Sequence, residues 1–174
     1  APEFELIDSG AFDDNRYFDV TAEYAKGAPD DLLIRITVAN RGPEAARIHV
    51  LPQLWFRNTW SWGCVHEGCW IKPSMRLEEG VISARHVTFG RYFFCAEAGP
   101  GSAPAQWLFT ENETNTERIF GATNHGPYVR DAFHDYVVHG KTDAVDPKMR
   151  GTKAARHYVL DIPAGGEVTL KMRL

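Results

Sequence analysis

Three tracts of this sequence gather side chains able to bind or to react. The first, Trp55 to Gly63 (WFRNTWSWG), sets Trp55, Trp60 and Trp62 among Arg57, Asn58, Thr59 and Ser61. Flat aromatic faces beside hydrogen-bonding side chains suit a sugar ring or a partner surface. Directly beyond it, Cys64, His66 and Cys69 are soft metal ligands, with Cys95 farther along. Their spacing lacks the paired knuckles of structural zinc sites, so we expect no metal and no local disulfide, and read the cysteines as turn and strand residues.

The second tract, Phe109 to Gly121 (FTENETNTERIFG), concentrates Glu111, Asn112, Glu113, Asn115, Glu117 and Arg118 after an apolar run. Such carboxylates serve as acid and base only when two of them face one another across a sugar. We expect no catalysis from them. The third tract, Asn124 to Gly140 (NHGPYVRDAFHDYVVHG), holds His125, His134, His139, Asp131 and Asp135. Adjacent His134 and Asp135 point apart on a helix, and no metalloprotease or nucleophile-elbow spacing is present. Structural roles are therefore expected, Asp135 as cap or ion-pair partner and His139 at a helix end favoured by the helix dipole. No glycine-rich phosphate loop occurs, and no cofactor is expected.

The elements that must position these tracts read as strands. Phe18, Val20, Ala22 and Tyr24 alternate with Asp19, Thr21 and Glu23, and Ile34, Ile36 and Val38 alternate with Arg35, Thr37 and Ala39, the period of half-buried strands. Asn40 to Glu44 then supplies a turn before the run Arg47 to Phe56, which predicts a β-hairpin with a longer loop. Further strands are expected over Val81 to Phe89, Arg91 to Glu97, Gln106 to Thr110, Ala155 to Ile162 and Glu167 to Leu174. The last two are joined by Pro163-Ala164-Gly165-Gly166, a link short enough to predict their antiparallel pairing. Asp131 to Gly140 is expected as the one short helix, with Asp131 as its cap and Gly140 as its stop. Together these patterns predict an antiparallel β-sandwich, with a barrel as the alternative. In WFRNTWSWG, Leu54 and Phe56 then read as core and the rest as a strand end whose tryptophans meet a neighbouring surface. That all of them are core stays open.

At 174 residues the chain suits a single domain, here residues 1–174. Hydrophobic residues make up 44% and charged residues 24%, with no apolar run long enough to span a bilayer and no signal-peptide pattern. A net charge of -4 with dispersed Lys and Arg argues against nucleic acid and membrane partners. Three cysteines, an odd number, suit a reducing compartment, so a cytoplasmic location is expected. The chain starts without methionine and stops within a strand pattern, and we expect it to be a piece of a longer polypeptide.

The tracts FDDNRYFDVTAEYAK, DLLIRITVANRGPEAA, LPQLWFRNTWSWG, FTENETNTERIFG, YVRDAFHDYVVHG and GTKAARHYVLDIPAGG, from Phe12 to Ile162, together resemble the N-terminal β-sandwich region of bacterial glycoside hydrolases related to the family-63 processing α-glucosidases. The resemblance implies a supersandwich-like, non-catalytic domain that packs on a helical toroid domain carrying the catalytic carboxylates. It also implies an oligosaccharide or glycoside substrate. The GCVHEGC turn departs from that family. On this reading, Trp55, Arg57, Asn58, Trp60, Trp62, Asn112, Asn115, Tyr128, Asp131 and His134 face substrate or the catalytic domain. The second reading is a free-standing carbohydrate-binding module, which stacks sugar on Trp60 and Trp62 with affinity of roughly 4 to 8 kcal/mol.

Overall fold

Alternating apolar and polar residues build most of the strands. A computed structural model describes residues 3–61, 63, 71–100 and 104–174. In chain order its elements are β1 (Phe18–Ala28), β2 (Asp31–Asn40), β3 (Ala46–Val50), β4 (Gln53–Trp55), β5 (Ser74–Glu78), β6 (Val81–His86), β7 (Gly90–Ala96), β8 (Gln106–Thr110), α1 (Thr116–Phe120), α2 (Ala132–His139), β9 (Arg150–Gly151), β10 (Lys153–Ile162) and β11 (Glu167–Arg173). The fold is all-β, built of antiparallel sheets. No helix among the described residues is long and apolar enough to cross a membrane. The chain divides into two compact units, one of residues 1–49, 96–104 and 159–174, the other of residues 50–95 and 105–158.

In the first unit β2 lies between β1 and β11. Val38 stands opposite Val20 on β1 and Val168 on β11, and Ile36 opposite Ala22 and Leu170. Val38, Leu170 and Ile162 are fully buried, which makes this face the core. The predicted half-burial of β1 is not observed. It is an edge strand, and Val20 and Tyr24 on the same face are 57% and 65% exposed. On the other face Glu23 and Arg35 pair at 2.6 Å.

The two predicted hairpins of this unit are corrected. β2 pairs with β1 and β11, while β3 lies beside β10, so the turn after Asn40 carries the chain from one sheet to another instead of folding it back. Likewise β11 pairs with β2 and not with β10. Asn40 explains both. Its buried side-chain amide donates to the carbonyls of Glu44 (2.7 Å) and Ile162 (2.9 Å), and its backbone exchanges hydrogen bonds with the Gly165 and Gly166 amide and carbonyl. Both corners are thus held by one residue, and a short link proves compatible with a change of sheet.

In the second unit β6 lies between β7 and β5, β9 flanks β5, and residues 153–157 of β10 pair with β4 on one side and β8 on the other. Phe94 on β7 meets Trp107 on β8 edge to face, with centroids 5.9 Å apart. Leu108, Ala155, Val145 and Phe133 of α2 form a buried cluster, with Leu51 and Tyr136 packed against it. Pro52, which lacks an amide donor, separates β3 from β4 and breaks the run that the sequence predicts from Arg47 to Phe56. β5, β9 and α1 are not predicted by the pattern. The β5–β6 turn places Glu79 and Gly80 at φ 50° and 85°, the left-handed pair that two-residue hairpins need.

Candidate functional site

β4 ends at Trp55, and the chain beyond it no longer alternates as a strand. Trp55 is consequently an outer residue, 55% exposed, and Phe56 is half-buried instead of deep core. The ladder holds Lys153 of β10 opposite Trp55 on one side and Thr110 of β8 on the other. Around that pair opens a cleft of about 330 Å³, lined by Trp55, Arg57, Asn58, Asn112, Arg130 and Lys153. Four of the residues predicted to meet substrate or domain are therefore brought together.

The two asparagines build this cleft. Asn58 is 4% exposed, and its amide donates to Ser61 Oγ (2.9 Å) and to the Asn112 carbonyl (3.1 Å), while its Oδ1 accepts from the Ser61 amide (3.1 Å). Asn112 in turn donates from Nδ2 to the Phe56 carbonyl (2.8 Å) and from its backbone to Thr152 Oγ1 (2.8 Å). Buried amides left unpaired cost free energy, so these bonds tie the polar tract after β8 to the segment after β4 and to Thr152. Arg130 donates to the Asn112 carbonyl (3.3 Å), and Lys153 donates to the Arg130 carbonyl (2.9 Å) above the Phe133 ring. Burial holds the Lys153 ammonium below the usual lysine range, and nearby Arg130 adds to that effect against the opposing pull of Asp131.

Trp60 has another role. Its Nε1 donates to Glu113 Oε1 at 2.8 Å, and the same oxygen accepts from Lys72 Nζ at 2.8 Å. Lys72 also pairs with Glu111 at 3.2 Å, and Thr152 Oγ1 donates to Glu111 (2.6 Å). Burial opposes the charge on Glu113, but the hydrogen bonds from Lys72 and Trp60 outweigh it and hold its carboxyl below the usual range. Burial also opposes the charge on Lys72, which the two glutamates overcome. Glu111 and Glu113 thus share one cation, Lys72. Tyr128 lies here, its carbonyl accepting from the Glu111 amide (3.2 Å), and it lines a second cavity of about 610 Å³ with Lys72, Glu113 and His125.

Asn115 and Asp131 join α1 to α2. Asn115 caps α1 by accepting from the Arg118 amide (3.1 Å) and donates to Asp131 (3.1 Å), which also pairs with Arg118 (3.1 Å). Asp131 stands at the N-cap of α2 but makes no side-chain cap, because its carboxylate is engaged there. The predicted cap is corrected to a bridge. Asp135 pairs with Lys141, and His139 and Gly140 end α2 as predicted. His134 is exposed on α2. Trp62, Cys64, His66 and Cys69 lie outside the described residues, Cys95 is an exposed free thiol, and no metal-binding cluster occurs among the described residues. Gln53, Arg130 and Lys153 were not predicted for the site. Only the ladder opposite Trp55 reveals Lys153.

No family model matches the chain, and no solved structure matches it. The chain is similar to the uncharacterized protein YMR196W of Saccharomyces cerevisiae, 34% identical over 203 residues that take in 98% of this chain. It spans 18% of that relative's length.

Proposed function

We propose that this chain is the non-catalytic β-sandwich part of a cytoplasmic glycoside hydrolase of the α-glucosidase-like kind, lining a sugar site that a helical toroid domain completes with its catalytic carboxylates. The observation that carries the reading is the cleft at Trp55, where an exposed indole stands among hydrogen-bonding side chains fixed by Asn58 and Asn112. Glu111 and Glu113 share Lys72, which suits a structural role and not proton transfer to a glycosidic oxygen. Ile119 and Phe120 of α1 are 60% and 72% exposed, an apolar surface of the type that meets another domain. The greater length of the yeast relative supports reading the chain as one part of a larger protein.

The test is calorimetry of this chain against monosaccharides and short α-linked oligosaccharides, paired with an aryl α-glycoside assay. Weak binding lost in Trp55→Ala, without turnover, is the expected result. Turnover abolished by Glu111→Gln or Glu113→Gln contradicts the reading.

A further inference from the structure

We propose that the Trp55 cleft selects an anionic sugar, a pyranose carrying a carboxylate or a phosphate, whose charged group meets Arg130 and Lys153 while its ring lies against Trp55. The inference rests on the sugar reading above and narrows its ligand. The amide donors of the two cleft asparagines are already used within the protein, Asn58 toward Ser61 and the Asn112 carbonyl, Asn112 toward the Phe56 carbonyl. What remains to meet a ligand is the Gln53 amide and the cations Arg130 and Lys153.

Several arginines elsewhere pair with carboxylates: Arg35 with Glu23, Arg41 with Asp19, Arg47 with Asp161, Arg173 with Asp31. Among the described residues, Arg130 and Lys153 instead rest on backbone carbonyls, and neither is in an ion pair. Two cations held side by side in a chain of net charge -4 repel each other unless an anion joins them. Lys153 shows the strain of that arrangement in its lowered affinity for a proton, to which burial contributes first and Arg130 next. A ligand anion opposes the Arg130 repulsion, as Asp131 already does in part. At about 330 Å³ the cleft lies at the small end of ligand pockets and suits one substituted ring.

Calorimetry at low and at 0.2 M salt decides the matter, with glucose, glucuronate, glucose 6-phosphate and inorganic phosphate as probes. The expected result is that glucuronate or glucose 6-phosphate binds about tenfold or more tightly than glucose, as a charge-assisted hydrogen bond predicts. Added salt should weaken that preference. The tighter of the two identifies the anion as carboxylate or phosphate. Lys153→Met and Arg130→Gln should each remove the preference for the anionic sugars over glucose, and exposed Arg130→Gln keeps the test open if Lys153→Met fails to fold. Equal binding of glucose and the anionic sugars overturns the inference and leaves the sugar reading standing. Inorganic phosphate binding as tightly as glucose 6-phosphate overturns the role of the ring. Binding of none of the probes overturns both.

Discussion

Lys153 stands directly across the β4–β10 ladder from Trp55, a cation and an indole from distant parts of the chain made neighbours by strand register. Side chains opposite one another in an antiparallel pair lie on the same face. The sheet thereby carries a ligand-sized surface at its margin, and Arg130, Asn58 and Asn112 enclose it from loops. A site positioned on a strand is held more rigidly than one built from loops alone.

Replacing Lys153 with methionine should separate binding from stability. The ammonium is half-buried beside Arg130, so its charge is disfavoured in the folded state, and that cost is relieved as pH rises through its lowered pKa. Chemical denaturation at pH 7 should show a change within about 1 kcal/mol, since the cation–π contact with Phe133 and the bond to the Arg130 carbonyl are lost as the cost is removed. A loss well beyond that range contradicts the assignment of Lys153 to ligand binding in preference to structure.

Glu113→Gln should destabilise the chain at neutral pH by about 1–3 kcal/mol, because a buried carboxylate receives both Lys72 and Trp60. The carboxyl's folded pKa lies below its unfolded value, so its contribution is fully present above the ordinary carboxylate range. As pH falls the unfolded chain takes up the proton first, and the contribution is gone below the folded pKa. Thermal melts of the two proteins should therefore converge in acid. Melting curves that stay equally far apart down to about pH 2 contradict this.

Gly151→Ala should damage the scaffold of the cleft. A Cβ at Gly151 comes within 2.3 Å of the Thr110 carbonyl oxygen and 2.8 Å of its carbon, both backbone atoms that cannot swing aside. We expect a loss of about 3 kcal/mol in urea denaturation. Gly126→Ala meets nothing within 4 Å and should be close to neutral, which isolates the clash as the cause.

The exposed pair Ile119 and Phe120 predicts self-association of the chain in isolation. Light scattering at high concentration should show oligomers that diminish in Phe120→Ser. A wild-type chain that stays monomeric throughout would remove the support this surface gives to a docked catalytic domain.

Much of the strand content was legible because period-two alternation survives in single segments such as Ile34, Ile36 and Val38. Which strands pair was not. Asn40 and the Pro163–Gly166 link read locally as hairpin turns, whereas the Asn40 hydrogen bonds to Glu44 and Ile162 that send the chain between sheets are visible only in three dimensions. β1 carries the alternation of a half-buried strand, but nothing in its sequence says that its apolar face lies at an uncovered edge. In the cleft, Trp55, Arg57, Asn58 and Asn112 were recognisable from aromatic and amide residues beside a strand end. Arg130 and Lys153 escaped notice because isolated cations carry no local signal, and only register brings them there.

The most direct measurement is a nuclear magnetic resonance titration of this chain with a short α-linked oligosaccharide, following the five tryptophan indole N–H signals and the backbone amides. The account predicts saturable shifts centred on Trp55, Asn58, Asn112 and Lys153, absent in Trp55→Ala, with no cleavage of the sugar. Unchanged spectra at high sugar concentration, or shifts centred on His134 and the rest of α2, would contradict the assignment of the sugar surface to this cleft.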